Sequence, residues 1–184
     1  MSGQRDGAVT ILGVDPGYAI LGWGVIKYSA SRHILAGYGA VETDKSESMP
    51  ERLKQIYASL TGIIEQYRPD VCAVEELFFN SNQKTAIKVG EARGAAVLAC
   101  ANAGLDVFEY TPLQIKQALT GYGRADKHQM QEMVRQILGL ERAPKPDDAA
   151  DAVAAAICHA NSSGYIDKLA RYNAAEQKKE SRTG

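Results

Sequence analysis

Residues 9–17 read VTILGVDPG, and this short stretch decides how the rest of the chain can be arranged. Residues 9–14 form a β-branched, apolar run that predicts a buried strand, and Pro16-Gly17 supplies turn chemistry straight after Asp15. The first strand therefore delivers a carboxylate to its C-terminal end. Asp before Pro-Gly is also an ordinary turn initiator, so this segment alone leaves a structural and a functional interpretation open.

The pattern on the C-terminal side of this strand predicts an α/β fold with a mixed sheet. Residues 21–28 and 33–42 are two further strand-like runs, which predicts a three-stranded antiparallel meander. Residues 46–67 carry apolar side chains at helical spacing, and residues 71–74 form the next apolar run. A strand that follows a helical crossover lies parallel to its neighbour. The remaining elements are predicted as a strand at 106–110 and helices at 82–103, 112–119, 126–138 and 147–161.

Length and charge are those of one globular domain without a general affinity for nucleic acid. The chain has 184 residues, of which 45% are hydrophobic, and we expect a single domain over residues 9–162. Residues 1–8 are predicted to be a flexible leader and residues 163–184 a disordered tail. Lys and Arg number 21 and Asp and Glu number 22, so any basic surface must be local.

The cysteines and the hydropathy pattern predict a cytoplasmic protein. Cys72, Cys100 and Cys158 are odd in number and lie in apolar runs, which is typical of reduced core thiols. The N-terminus lacks the pattern of a signal peptide, and no segment approaches the length of a membrane span.

A second acidic segment, PDDAADAV at residues 146–153, places acids in an Ala-rich helix. Asp148 and Asp151 are three residues apart, so both carboxylates project from one face that small apolar neighbours indicate is packed. Two such charges about 4 Å apart repel by roughly 4 kcal/mol at an effective dielectric of about 20. No Lys or Arg lies between or just after them, which favours a divalent metal ion. Asp147 after Pro146 is a plausible N-cap, so ordinary capping remains an alternative.

Four carboxylates from three elements form the candidate site: Asp15, Glu75, Asp148 and Asp151. Functional groups of α/β proteins collect beyond the carboxyl ends of parallel strands, where Asp15 and Glu75 would meet. Glu76 competes with Glu75, because neighbouring strand residues point to opposite faces. Both faces of this strand are apolar, so alternation leaves the choice open.

Four ordered motifs resemble the RuvC family of Holliday-junction resolvases. They are ILGVDPG at 11–17, GWGVI at 22–26, AVEELFF at 73–79 and DAADA at 148–152. The resemblance runs from about residue 10 to residue 162. It implies an RNase H-like fold with a mixed five-stranded sheet, and it implies catalytic, metal-binding acids at Asp15, Glu75, Asp148 and Asp151. Some relatives carry His at the position of Asp148.

Family resemblance also implies the reaction. We expect paired symmetric nicks in four-way junction DNA, with 5'-phosphate and 3'-hydroxyl ends, during recombination and repair. Two divalent ions about 3.5–4 Å apart stabilise the attacking and leaving oxygens of such a hydrolysis. Mg²⁺ suits carboxylate ligands, and Mn²⁺ is an expected substitute. A RuvA–RuvB type branch-migration complex is the partner that the family suggests.

Candidate DNA contacts follow the acids along the chain. They are Phe78, Lys84, Lys88, Lys116, Arg124 and Lys127. An exposed aromatic can stack on the unstacked bases of a branch point, and the family resemblance places Phe78 in that role. Phe78 and Phe79 could instead cap the sheet, and surface Lys and Arg are usually solvated.

A homodimer follows from the symmetry of the substrate. A four-way junction is two-fold symmetric, and the small residues of the helix from Thr85 to Ala103 would allow close approach of a second copy. The same residues could equally pack this helix on its own sheet. Alternatives to a resolvase are an actin-like ATPase, a non-catalytic junction-binding protein and an RNase H relative that cuts RNA-containing duplexes.

Overall fold

The computed structural model of the chain describes residues 8–76 and 83–162, except for the side chains of residues 83–85. Within these residues there are five strands and five helices: three strands come first, helices and strands alternate in the middle, and three helices end the described part. The strands are β1 (Val9–Asp15), β2 (Ile20–Ser29), β3 (Arg32–Glu42), β4 (Val71–Glu75) and β5 (Asp106–Tyr110). The helices are α1 (Met49–Tyr67), α2 (Gln83–Asn102), α3 (Pro112–Thr120), α4 (Lys127–Ile137) and α5 (Asp147–Asn161).

The strands form one mixed sheet in the order β3-β2-β1-β4-β5. β1 and β2 pair antiparallel, as do β2 and β3, whereas β1–β4 and β4–β5 are parallel. The meander and the parallel crossover strands predicted from the sequence are confirmed. β1 is the central strand, and Asp15 lies at its C-terminal end.

Two hydrophobic cores cover the two faces of this sheet. On one face Ile11, Val71 and Ala73 pack with α3, α4 and α5. On the other face Leu12 and Cys72 pack with α1 and α2. Because side chains alternate along a strand, odd-numbered residues of β1 and β4 face α5 and even-numbered residues face α1 and α2.

Helix α5 lies almost directly on the backbone of β1 and β2. Three glycines make this approach possible, since a Cβ on Gly13 would overlap the carbonyl oxygen of Ala152 and one on Gly22 the carbonyl oxygen of Asp148. A Cβ on Gly24 would overlap the side chain of Val153. Residues 149, 150 and 152–160 of α5 are all buried. The glycines therefore set the depth at which the acidic end of α5 meets the sheet.

Two local details differ from the sequence prediction. Asp147 is the first residue of α5 and Pro146 its N-cap, so the prediction of Asp147 as N-cap is wrong. α1 begins at Met49 rather than near residue 46, because Ser48 is its N-cap and Pro50 occupies its first turn.

The three cysteines are free and buried, as predicted. Along the described ranges, no helix has the length and apolarity needed to cross a membrane. The predicted leader (1–8, apart from Ala8) and tail (163–184) lie outside the described residues.

Candidate active site

Asp15 and Glu75 end neighbouring parallel strands on the same face of the sheet. The register pairs Val14 with Val74, so the two acids are the next residues of β1 and β4. Both have odd numbers and therefore face α5. Glu76 is exposed instead, and its backbone N–H donates a hydrogen bond to the carbonyl of Tyr110. Strand alternation together with the position of α5 thus favours Glu75, the residue that the family resemblance implied and that strand alternation alone had left open.

Helix α5 brings its first turns to these strand ends. Asp148 lies in the first turn of α5, and its carbonyl oxygen sits over Gly22, the residue that pairs with Asp15 across β1 and β2. Asp151 follows one turn later and is half-buried. Asp148 and Asp151 are three residues apart, which predicts that they share one face of the helix. The first turns of this helix lie at the ends of the strands that carry Asp15 and Glu75.

Burial and repulsion between neighbouring acids raise the pKa values of Asp15, Glu75 and Asp151. Burial, followed by repulsion from Glu75, Asp151 and Asp148, raises the pKa of Asp15 to about 8. Burial and repulsion from Asp151 raise the pKa of Glu75 to about 7, against the opposing effect of Lys116 and Lys127. Burial also raises the pKa of Asp151. The site therefore has more negative charge than its own cations compensate.

Lys127 supplies part of the missing positive charge, which corrects one step of the sequence argument. Its Nζ lies 3.2 Å from Asp147 Oδ2 and 3.6 Å from Asp151 Oδ2. Lys145 Nζ also lies 2.7 Å from Asp147 Oδ1, and Gln131 donates to the same oxygen. The sequence shows no Lys or Arg between or just after Asp148 and Asp151, but folding brings Lys127 of α4 to Asp151, whereas Lys145 contacts Asp147.

These contacts separate Asp147 from the other acids of α5. Donation by Lys145, Lys127 and Gln131 lowers the pKa of Asp147 to about 2. Asp147 is therefore an ion-paired residue at the start of the helix. Asp15, Glu75 and Asp151 have raised pKa values instead, first because they are buried and then because neighbouring acids repel their charge.

The donor set is suited to a hard divalent cation. Carboxylate oxygens are the ligands that Mg²⁺ prefers, and a cation would relieve the repulsion that raises the pKa of Asp15. Among residues 8–76 and 83–162, no three acidic, His or Cys side chains converge closely enough to hold one ion as they are placed. The assignment of all four acids as metal ligands therefore stays a prediction.

A cavity of about 260 Å³ opens beside the acids. Its polar lining consists of Glu75 and Asp151 together with Lys116 and Lys127, and Ile115 contributes to the apolar part. Two lysines beside two acids form a surface that can accept a phosphate once the acids bind a cation. Lys116 and Lys127, both predicted DNA contacts, are thus brought to the acids.

Of the other predicted DNA contacts, two are exposed on the surface and two lie outside the described residues or side chains. Lys88 is exposed on α2 and lines a second cavity together with Asp148. Arg124 is exposed in the loop before α4. Phe78 and the competing Phe79 lie outside the described residues, and so does the side chain of Lys84. Arg93, also on α2, forms an ion pair with Glu109 of β5.

Sequence reasoning missed Tyr18, which follows the turn after Asp15. Its ring lies under the guanidinium of Arg52, and its carbonyl oxygen accepts hydrogen bonds from Thr43 and Arg52. An aromatic residue directly after Asp-Pro-Gly was an available signal for it. The contacts of Tyr18 with Arg52 and Thr43 could not be predicted, since those two residues lie elsewhere in the sequence.

Comparison with known families gives one match over most of the chain. The family model described as "Crossover junction endodeoxyribonuclease RuvC" matches residues 11–159. Curated proteins with the same description include one from Alkaliphilus oremlandii, 56% identical over 157 residues, which cover 85% of this chain and 96% of that protein. Another, from Rubrobacter xylanophilus, is 59% identical over 152 residues, which cover 83% and 85% of the two chains.

Solved structures agree with these sequence matches. A T. thermophilus RuvC in complex with a Holliday junction substrate superposes with a TM-score of 0.77 and 38% identity, covering 83% of this chain and 94% of that one. The yeast mitochondrial Holliday junction resolvase Ydc2 has a TM-score of 0.63 at 12% identity, covering 88% and 82% of the two chains. The second likeness shows the fold alone.

Proposed function

Because the chain belongs to the RuvC family of crossover junction endodeoxyribonucleases, we propose that it cleaves Holliday junctions at the group formed by Asp15, Glu75, Asp148 and Asp151. The chain is a nuclease that hydrolyses phosphodiester bonds. The observation that carries the assignment of the site is geometric: Asp15 and Glu75 end neighbouring parallel strands, and the Asp148 carbonyl of α5 lies over Gly22, the residue that pairs with Asp15. Burial, followed by repulsion from Glu75, Asp151 and Asp148, raises the pKa of Asp15, which supports a shared site for the four acids.

Divalent metal dependence follows from membership of this family, and we propose two Mg²⁺ ions per site, for which Mn²⁺ can substitute. The ions would supply charge stabilisation for the attacking and leaving oxygens. Asp15, on the central strand, is the proposed ligand shared by both ions. Glu75 would hold one ion, and Asp148 and Asp151 would hold the other or orient the attacking water.

The lysines beside the acids have a role on the substrate side. Lys116 and Lys127 line the cavity next to Glu75 and Asp151, where a phosphate oxygen would be attracted to both ammonium groups. Lys127 would exchange its contact with Asp151 for one with the scissile strand once cations neutralise the acids. The proposed products are nicks with 5'-phosphate and 3'-hydroxyl ends.

Exchange of one oxygen for nitrogen at position 148 tests this site. Asp148→Asn is expected to lower the cleavage rate of a synthetic four-way junction in Mg²⁺ by at least about a hundredfold, while the junction dissociation constant measured without Mg²⁺ stays within about threefold. Asp147→Asn is the matched neighbour, and we expect a small effect because Asp147 is ion-paired with Lys145 and Lys127. Equal losses in both variants, or full cleavage by Asp148→Asn, would contradict the assignment.

Salt dependence tests the contacts with DNA. Junction binding is expected to weaken steeply as salt rises, with a logarithmic slope that falls by about one for each phosphate-contacting lysine that is replaced. Lys116→Gln and Lys88→Gln should each reduce this slope. A slope that is unchanged in both variants would remove these lysines from the interface.

A two-fold homodimer through α2 is the proposed assembly. Ala92, Ala96 and Ala99 are buried within the protomer, so the alternative that these small residues pack on the chain's own core is correct for them. Another face of α2 is open: Ile87 is 64% exposed and Leu98 is 53% exposed. A stripe of these residues with Gly94 between them, at helical spacing, suits a second copy of the same helix.

Charge placed in this stripe should separate the subunits. Leu98→Glu is expected to sediment as a monomer at concentrations where the wild type is a dimer. Ile34→Glu is the matched control, because Ile34 is 61% exposed on β3. Monomeric wild type with and without junction DNA would overturn the dimer.

The family resemblance extends the proposal to a cytoplasmic enzyme that works with a RuvA–RuvB type branch-migration complex.

A further inference from the structure

A second cavity, of about 370 Å³, is lined in part by Asp148. It is formed by the turn between β1 and β2 and by one turn of α2, with Asp148 at its border. Its lining is mainly apolar and includes Gly17, Ile20 and Val89, whereas Lys88 brings a positive charge. Tyr18 also lines this cavity.

Arg52 contacts the Tyr18 ring, and hydrogen bonds hold the backbone carbonyl of the same residue. The Arg52 guanidinium carbon lies 3.9 Å from the ring centroid, at the distance of a cation–π contact. Arg52 Nε donates to Thr43 Oγ1 at 2.8 Å, and that hydroxyl donates to the Tyr18 carbonyl at 2.7 Å. Arg52 Nη2 also donates to the same carbonyl at 3.3 Å. The cation–π contact with Arg52 and packing against the core restrict the ring before any ligand binds, which lowers the entropy cost of stacking on it.

Positive charge surrounds this ring. Lys88 Nζ lies 5.6 Å from the Tyr18 ring centroid, in addition to the guanidinium of Arg52. Two cations next to an aromatic face match a nucleotide, whose base stacks on the ring and whose phosphate is anionic. The apolar lining of the cavity suits the faces of a base and a deoxyribose.

The two cavities are lined by different members of the acid group and share no lining residue. Glu75 and Asp151 line the cavity with Lys116 and Lys127, whereas Asp148 lines the cavity with Tyr18 and Lys88. A DNA strand that presents one phosphate to the acids must send the nucleotides before and after that phosphate in opposite directions. One flanking nucleotide then reaches the Lys116 cavity and the other reaches the Tyr18 cavity.

We propose that the Tyr18 cavity binds the base and sugar of one nucleotide next to the scissile phosphate, with the following phosphate near Lys88. This inference rests on the proposed function of the four acids. Tyr18 stacks on the base, and Arg52 is a positioning residue that holds the ring. The cavity thereby helps to select which phosphate of the junction is placed at the acids.

The test combines a protein change with a matching DNA change. Tyr18→Leu removes the aromatic face, and single abasic sites in a synthetic junction remove one base at a time on either side of the cut. We expect Tyr18→Leu to lower the single-turnover cleavage rate of the intact junction about tenfold, in line with loss of one stacked base. At one abasic position, wild type and Tyr18→Leu should cut at equal, reduced rates.

Three further variants separate a binding role from a structural one. Tyr18→Phe should recover most of the rate that Tyr18→Leu loses, because it restores the ring. Arg52→Met should slow cleavage of the intact junction and should show no further loss at the same abasic position. Tyr38→Leu, which removes a 42% exposed ring from β3, should cleave every junction as the wild type does.

Two results would overturn the inference. One is a Tyr18→Leu enzyme that cuts the intact junction at the wild-type rate. The other is a rate loss of equal size at every abasic position, which would show that Tyr18 only supports the fold. If wild type failed to cleave any junction in Mg²⁺, the proposed function would be wrong instead, so the two failures are distinguishable.

Discussion

Replacement of Asp15 by Asn should make the metal-free protein more stable while it destroys cleavage. In the fold the pKa of this carboxyl is about 8, because burial and the neighbouring acids oppose its ionisation, whereas its ordinary value is 3.8. A group whose pKa is raised by folding stabilises the fold below its ordinary pKa, and this stabilisation is lost as the pH rises toward the folded value. The stability that Asp15 contributes to the metal-free wild type should therefore be lost between about pH 4 and pH 8.

The size of the effect follows from the two pKa values. At 1.36 kcal/mol per pH unit, ionisation of Asp15 costs the fold about 5 kcal/mol at pH 8. The acids titrate together, so removal of one charge also changes the protonation of the others, and we assign about half of this figure to a single Asn, or about 2–3 kcal/mol. At pH 5 the gain should be much smaller.

Urea denaturation with EDTA present, at pH 5 and pH 8, measures this difference. Asp44→Asn is a control of opposite sign, because the backbone N–H and the hydroxyl of Ser46 lower the pKa of Asp44. That variant should be slightly less stable than wild type at both pH values. Mg²⁺ should stabilise wild type at pH 8 more than it stabilises Asp15→Asn, since the variant offers a weaker ligand.

Two outcomes would refute the reasoning. An Asp15→Asn protein no more stable than wild type at pH 8 would show that Asp15 is not held among uncompensated charges. A gain of the same size at pH 5 and pH 8 would show that it has another origin, such as improved packing.

The remaining predictions concern the packing of α5. Gly22→Ala should abolish most cleavage and destabilise the protein by about 1–3 kcal/mol, because the new Cβ would overlap the carbonyl of Asp148; activity assays and urea denaturation measure both effects. Gly62→Ala in α1 is the control, because a Cβ at this position has no neighbouring atom within 4 Å. This replacement should stabilise the helix by about 0.5–1 kcal/mol. His159 is buried, which lowers its pKa to about 4, so wild type should lose about 3 kcal/mol more stability than His159→Gln as the pH falls from 6.5 to 4. Equal pH dependence of the two proteins would contradict this prediction.

Sequence alone determined the order and type of the elements and the candidate acids. β1 is a short continuous apolar run, α1 carries apolar side chains at a period of about 3.6, and turn residues such as Pro16-Gly17 mark where a strand ends. These signals are local, because backbone geometry fixes which neighbouring side chains share a face. The four family motifs then directed attention to the same acids that the structure brings to one end of the sheet.

Tertiary structure decided what local patterns could not. Glu75 and Glu76 follow equally apolar sets of residues, and only the position of α5 on the odd-numbered face shows which acid meets Asp15. Lys127 lies twenty residues before Asp147 in sequence, yet folding brings it to Asp147 and Asp151. Contacts between distant segments depend on which helix covers which face of the sheet, and that is a property of the whole packed core rather than of any one segment.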